Sequence, residues 1–374
     1  MEFIINNQCL NQAIYEVSQA VASKAILPIL LGVKIIAEKD RLTLIGSNTN
    51  IAIESMIPLM VGGQEVLKVM EPGSLVLPAK YLSDLVKKLP GEVHLKSDAH
   101  RVTLQSDTIK TALNVLNVEE YPNLPEIEHK KIIHIKSRDL STLIKQTVFA
   151  ASKRESNPIL TGVNFSFQDN TLTCVATNSH RLSLRTLTIP SEIKGSFTIP
   201  SASLLEVHKL MHDEVDEILI GLTDHTIVFQ AKGLSVYSRL LEGTYPNVSS
   251  LLLREFKTVL ILNTENLLKG IDRATLFASE WKNHNVNLEI IEDSQLLISS
   301  HSSEIGTIEE VQDIDQMIGE RSLCISLDGA YVKEALKVIE EKAVKVSFGG
   351  SMSPVLIEPV DNPAHKQLIS PVRS

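Results

Sequence analysis

Displaced against itself by 130 residues, the chain brings "PILLGVKIIAEKDRLTLIGSN" (28–48) over "PILTGVNFSFQDNTLTCVATN" (158–178), with eight of 21 positions identical and no gap. The shared positions are Pro28, Ile29, Leu30, Gly32, Val33, Leu42, Thr43 and Asn48, matched by Pro158, Ile159, Leu160, Gly162, Val163, Leu172, Thr173 and Asn178. A unit of about 125 residues is large enough to hold its own core and too long for a solenoid turn, so such a chain folds as tandem copies of one domain. Upstream, Leu10, Ile14 and Ala20 fall over Leu140, Ile144 and Ala150. A further 128 residues on, "LKGIDRATLFAS" (268–279) sets Leu268, Ile271, Phe277 and Ala278 over Leu140, Leu143, Phe149 and Ala150. An amphipathic helix therefore opens three copies, not two.

A second helix recurs as "LPAKYLSDLVKKL" (77–89), "IPSASLLEVHKLM" (199–211) and "LDGAYVKEALKVI" (327–339), with Pro, Ser or Asp at the capping positions and apolar residues at helical spacing. Alternating runs such as "VHLKS", "RVTLQ", "EILIG" and "TIVFQ" follow as period-two strands. In "EEYPNLP" (119–125) and "GTYPNVS" (243–249) proline ends the strand pattern, which puts domain limits at 1–126, 127–253 and 254–374. Each copy is α+β, with two helices packed on antiparallel sheet.

The apolar share of 43% supports a core in each of three domains. No apolar run approaches the roughly 18 residues that span a bilayer, and "MEFIINNQCL" lacks the basic region of a secretory signal, so a cytoplasmic protein without membrane contact is expected. Cys9, Cys174 and Cys324 stand far apart and suggest neither a disulfide framework nor a thiolate metal site. His208 and His212 are four apart on a helix, but without a third ligand they make a solvated helix end. The glycine pairs 62–63 and 349–350 fall between strand patterns and make turns. No cofactor is implied.

One stretch concentrates polar chemistry: "ATNSHRLSLR" (176–185). Ser179 and His180 are adjacent, so in a strand they face opposite ways, and no G-x-S-x-G elbow surrounds the serine. Catalysis is not the natural reading. The aligned stretch of the first copy, "GSNTNIAIES" (46–55), keeps Ser47 and Asn48 but has Asn50, Ile51 and Ala52 in place of His180, Arg181 and Leu182. The shared part is turn architecture, with Asn and Thr bonding locally. The unshared part is a candidate for function peculiar to the second copy.

Three such domains, with "LPIL" in the first, "NPILTGV" and "ATNSHRLSLR" in the second, "YPN" at the junctions and "LISPVRS" at the end, resemble the bacterial sliding clamp family, the beta subunits of DNA polymerase III. The resemblance covers the whole chain. It implies the DNA clamp fold in a head-to-tail homodimer, a six-domain ring around double-stranded DNA that is opened by a clamp loader. It also implies a non-catalytic, nucleoid-associated processivity factor that tethers DNA polymerases and repair proteins through short peptides.

By that resemblance the peptide pocket comprises Leu160, Thr177, Asn178, Ser179, His180, Arg181, Leu182, Pro246, Ser250, Leu251 and Pro354, with the C-terminal arm Leu368, Ile369, Ser370, Pro371, Val372 and Arg373. For His180 and Arg181 a satisfied strand-end pair is the structural alternative. The sequence departs from the family at Asn178 and Ser179, usually Asp and Gly, at Ser250, an arginine in some members, and at Ser370, usually large and apolar.

If the helices line a passage for DNA, their exposed faces should be basic despite a net charge of −9. Lys24, Lys87 and Lys88 lie in the first copy, Arg138, Lys145, Lys153, Arg154 and Lys209 in the second, and Lys269, Arg273, Lys333 and Lys337 in the third. A solvated helix face carries the same pattern, but the cations recur across the copies. Weak, sequence-independent attraction suits a ring whose residence comes from topology. The alternative is a same-fold peptide scaffold or second, paralogous clamp with reduced DNA or partner binding.

Overall fold

The structure, a computed structural model, describes the chain except for residues 23, 25–26, 99, 126–131, 155, 191–192, 212–215, 253–254, 279–284, 293–294 and 373–374. The described helices are α1 (Asn7–Ser18), α2 (Ala79–Val86), α3 (Ser137–Thr147), α4 (Ser201–Leu210), the single turn α5 (Ser249–Leu252), α6 (Thr264–Thr275) and α7 (Gly329–Lys337). Apart from α5, these are the six helices that the repeat predicts. Leu10, Ala13, Ile14 and Val17 form the buried stripe of α1, and the Asn6 side chain accepts the Gln8 and Cys9 amides at its start. Asp328 caps α7 in the same way, whereas α2 follows Pro78 and has no side-chain cap.

The chain forms two compact units, Met1–Arg138 with Ala202–Leu240, and Asp139–Ser201 with Leu241–Ser374. Hydrogen bonding explains why there are two units for three copies. In the first unit one antiparallel sheet runs in the order Ile132–Lys136, Glu217–Leu222, Thr226–Ala231, Leu234–Arg239, Ile51–Pro58, Arg41–Ser47, Gly32–Ala37, Gly73–Pro78. Strands of the first and second copies thus meet where Tyr237 pairs with Ala52. A five-stranded sheet completes the unit, and α1 and α2 pack side by side, with α1 lying on the strands Arg41–Ser47 and Ile51–Pro58. At Gly46 an added Cβ would lie 2.0 Å from the Val17 carbonyl oxygen, so only glycine lets α1 approach this closely.

The second unit repeats the plan. Its nine-stranded sheet runs Gly195–Pro200, Gly162–Gln168, Thr171–Thr177, Arg181–Thr188, His365–Ile369, Val355–Pro359, Ala343–Phe348, Thr258–Asn263, Gln316–Gly319. Here strands of the second and third copies meet, with Leu182 opposite Leu368. A four-stranded sheet, α6 and α7 enclose Ile271, Leu288, Ile298, Leu336 and Phe348, all buried. The limits at 126 and 253 lie outside the described residues, and so does His212. Gly62 and Gly63 make the left-handed turn of a two-stranded ribbon, as turn residues should.

His365 sits fully buried in the middle of the nine-stranded sheet. Gln367 Nε2 donates to the Ala335 carbonyl and to His365 Nε2, at 2.8 and 3.3 Å. Burial, helped by the Arg185 charge and opposed by Glu341, pushes the imidazole down from 6.5 to about 4. The fold therefore holds a neutral ring, while the unfolded chain takes up a proton as pH falls through 6.5. Stability should drop between pH 6.5 and 4 by about 3 kcal/mol from this group. Urea melts at pH 7.5 and 4.5 check it: His365→Gln should flatten the pH dependence, and equal slopes for the two proteins would rule the histidine out as its source.

Candidate functional site

The stretch 176–185 is a tight hairpin. The Asn178 side-chain oxygen accepts the amides of His180 and Arg181, both at 3.0 Å, and Thr177 Oγ1 donates to the Arg181 carbonyl at 2.6 Å. In the first copy Asn48 accepts the amides of Asn50 and Ile51 at 2.8 and 3.0 Å. The shared residues thus build the same Asx turn twice. Ser179 takes a left-handed backbone, with φ of 75°, a conformation that glycine adopts at no steric cost. Ser179→Gly should therefore stabilise the hairpin by about 1 kcal/mol, measured as a rise in urea midpoint.

The unshared residues separate. His180 is exposed, and its carbonyl accepts the Ser370 amide at 2.8 Å, which ties the C-terminal arm to the hairpin. Arg181 is buried, at 7% exposure. Its guanidinium donates to the Glu334 carboxylate and to the Phe149 carbonyl and stacks on the rings of Phe149 and Tyr331, at 5.2 and 4.4 Å. It therefore holds the hairpin against α7, while Asn178 Nδ2 donates to the Tyr331 hydroxyl at 3.3 Å. These contacts make Arg181 a residue that positions the hairpin, while His180 beside it stays exposed.

On the sheet face that carries Leu182 and Leu184, buried Val175, Leu356 and Leu368 join them in an apolar cluster, with Tyr245, Val248, Leu252 and Phe256 packed partly over it. Tyr245 accepts the Thr177 amide at 3.0 Å, and burial pushes its phenol up. Leu160 and Thr177 are buried, Ser370, Pro371 and Val372 half-buried, and Pro246, Ser250 and Leu251 exposed. Pro354 immediately precedes the strand Val355–Pro359 and does not lie in it. Of the predicted pocket residues, Leu182 and Leu368 belong to this cluster, Thr177 is bonded to Tyr245 at its edge, and Pro246, Ser250 and Leu251 neighbour Tyr245, Val248 and Leu252 in the chain; Asn178 and Arg181 bond to α7, Ile369 packs in the other core of the unit, and Arg373 lies outside the described residues.

Sequence reasoning missed Val175, Leu184, Leu356, Tyr245, Val248, Leu252 and Phe256. Period-two alternation in 171–188 and 355–359 was the available signal for the strand members. The arm needs a correction: Leu368 and Ile369 are not a tail but strand residues, 4% and 1% exposed, paired on both sides. The arm proper begins at Ser370, where Pro371 bridges Leu327 and the Val372 amide donates to the Ser326 carbonyl at 2.9 Å.

The predicted cations divide as well. Lys24, Lys87, Lys88, Lys145, Lys153, Arg154 and Lys337 are exposed and have no ion pair among the described residues, and Arg138 is exposed at the start of α3. Lys269 pairs with Glu265 at 2.5 Å, and Arg273 grips Glu310 through two bonds of 2.7 and 2.6 Å, which raises the guanidinium above its ordinary value. Lys333 is half-buried and pairs with Asp272, whose carboxyl it holds below the usual range. Lys209 lies over the Tyr15 ring, donates to Gln19 and stands 3.8 Å from Glu206. These four offer less net charge to a polyanion than the sequence suggests.

No group of three or more His, Cys, Asp or Glu side chains among the described residues could hold a metal, and no described helix is long and apolar enough to cross a membrane. The repeated fold, a strand-borne apolar cluster rimmed by polar turns and exposed cations on helices define a clamp-fold binding protein. Family models for the N-terminal, central and C-terminal domains of the DNA polymerase III beta subunit match residues 1–125, 134–247 and 249–373. The chain belongs to the DNA polymerase III beta subunit family. It is 41% identical to the beta sliding clamp of Bacillus subtilis over 378 residues, covering 100% of both chains, and 38% identical to that of Halalkalibacterium halodurans, again over 100% of both. Among solved structures, the DNA polymerase sliding clamp from Bacillus subtilis superposes with a TM-score of 0.97 at 40% identity, covering 100% of this chain and 99% of that one. The DNA polymerase beta subunit of Streptococcus pyogenes gives 0.94 at 33% identity, covering 100% of both.

Proposed function

We propose that this chain is a DNA sliding clamp, two copies of which join head to tail in a ring around duplex DNA. It is a non-catalytic processivity subunit that works without reading base sequence. The observation that carries this reading is the full-length similarity, all three domains in order, to proteins named beta sliding clamp. In this reading the cluster around Leu182 and Leu368 receives an apolar anchor of a polymerase or repair-protein peptide, with the 178–180 turn and the arm from Ser370 as its polar rim. Apolar walls with few polar fixings suit a short peptide. A clamp loader would open the ring, and the protein would act in the cytoplasm, on the nucleoid. The domain limits near 126 and 253 belong to the same proposal.

Loading on nicked circular DNA with a clamp loader tests the ring: the protein should stay bound on the circle and leave when the DNA is linearised. Equal retention on circle and linear DNA would exclude a topological link. Changing Lys87, Lys88, Lys145 and Lys337 together to glutamate should shorten retention at low salt by about tenfold or more, because these exposed cations add to the field without pairing internally. Reversing Lys269 and Arg273 should have a smaller effect, since their charges are already met by Glu265 and Glu310. The internal pairing at Lys209, Lys269, Arg273 and Lys333 favours, as a second reading, a paralogous clamp with reduced grip on DNA. Unaltered retention by the fourfold variant would show that these faces do not meet DNA.

A further inference from the structure

We propose that the first compact unit carries a second peptide pocket, the counterpart of the one around Leu182, which takes a short peptide with one large apolar side chain next to a carboxylate. The ligand class rests on the peptide-pocket reading above; the position rests on the fold alone.

The first unit holds a cavity of about 350 Å³ walled in part by Leu30, Asn48, Ala52, Pro122, Thr226 and Tyr237. Strand register makes each wall residue the equivalent of a member of the Leu182 site. Ala52 pairs with Tyr237, which pairs with Val228; Leu182 pairs with Leu368, which pairs with Leu356. Thr226 precedes Val228 by two residues, as Pro354 precedes Leu356. Pro122 and Pro246 occupy the same place in the two Tyr-Pro-Asn junctions, and the repeat carries Leu30 and Asn48 to Leu160 and Asn178. The apolar clusters agree: Ala52, Val228 and Tyr237 pack with Leu124 as Leu182, Leu356 and Leu368 pack with Val248. Even the rim bond repeats, since the Arg239 amide donates to the Asn50 carbonyl at 2.9 Å where Ser370 donates to His180.

The differences between the two sites decide the ligand. Alanine at 52 in place of leucine shortens the floor, and a cavity of this size fits one large side chain and part of its neighbour. Tyr237 puts a hydroxyl where Leu368 has methyl groups, and burial, helped by the Glu54 charge, pushes that phenol up to about 12. Arg239 replaces Ser370 on the rim, exposed and without an ion pair among the described residues. Glu54 lies at the other end of the strand pairing, where it opposes Ser235, and burial raises its carboxyl. Among the described residues that line the cavity, Arg239 is the one charged side chain, so a peptide carboxylate meets its cation there, where a charged, bidentate hydrogen bond is available.

The test uses the full-length protein and a short synthetic peptide with an Asp-Leu-Phe core and a benzophenone side chain. The peptide is photo-crosslinked, and the adducts are located by mass spectrometry. We expect adducts both on 226–239 and on the segments around Leu182 and Leu368. Arg239→Glu, or Asn for Asp in the peptide, should lower the first set at least fivefold and leave the second unchanged, as loss of one charge-assisted bond requires. Ala52→Trp should fill the cavity and abolish the first set. Adducts only around Leu182 and Leu368 would overturn the second pocket and leave the proposed function intact; adducts only on 226–239 would sink the Leu182 assignment and keep this one. Adducts on 226–239 that ignore both Arg239→Glu and Ala52→Trp, or no adducts anywhere, would also overturn it. Wild-type hydrogen exchange in the strands Ile51–Pro58 and Leu234–Arg239 is the control that the first unit of each variant is folded, and the unchanged second set is the control for the second unit.

Discussion

Replacing Arg181 with alanine should destabilise the second unit by about 3 kcal/mol, the lower end of the cost of breaking a buried ion pair. The guanidinium is nearly covered, yet the Glu334 side chain keeps 45% exposure, so solvent moderates the loss of its partner. Three further contacts go with the charge: the bond to the Phe149 carbonyl and the stacking on Phe149 and Tyr331. Lysine at 181 should recover little, because a compact ammonium supplies neither the fork nor the flat face. Urea unfolding of the three proteins decides the matter. A loss below 1 kcal/mol for alanine would mean that Arg181 does not hold the hairpin to α7, and that the pocket turn is positioned by Asn178 alone.

Deleting Leu368–Ser374 should leave the second unit unfolded, whereas deleting only Pro371–Ser374 should preserve it. Leu368 and Ile369 are paired to Leu182 and Arg181 on one side and to Leu356 and Val355 on the other. Removing two buried large side chains costs about 2 to 5 kcal/mol each, which approaches the whole stability of a domain. The shorter deletion takes one bridge and one backbone bond at the sheet margin. Near-ultraviolet circular dichroism and hydrogen exchange in the nine-stranded sheet distinguish the two. A folded protein lacking Leu368 and Ile369 would contradict the strand assignment. The arm's share in peptide binding is then measured with the shorter deletion, where fold and site do not fail together.

The repeat was legible because a duplicated core preserves its period. The spacing in "LNQAIYEVSQAVAS" and the Asn at 48 and 178 follow from geometry within about ten residues, so the helices, the Asx turns and the alternating strands could all be read locally. The cations could be counted but not weighed. Glu310 lies 37 residues from Arg273, and the antiparallel strands from Asn285 to Asp313 bring the pair to 2.6 Å, a distance no helix periodicity contains.

The arm shows the same limit most plainly. "QLISPVRS" follows the last clear strand signal and looks like a tail, yet Leu368 and Ile369 fill the middle of a sheet because their partners, 181–182 and 355–356, come from two different copies. Likewise the equivalence of Ala52 with Leu182 could be seen in the alignment, but that Tyr237 stands for Leu368 needed the register of strands whose connecting turns differ in length. By itself the sequence determined what recurs at short range: three copies, their helices, their strands and their turns. Only the tertiary structure decided which strands of successive copies share a sheet, which charges neutralise one another and which leucines are buried within it. Pairing across copies depends on contacts between residues more than a hundred positions apart, and no local pattern encodes them.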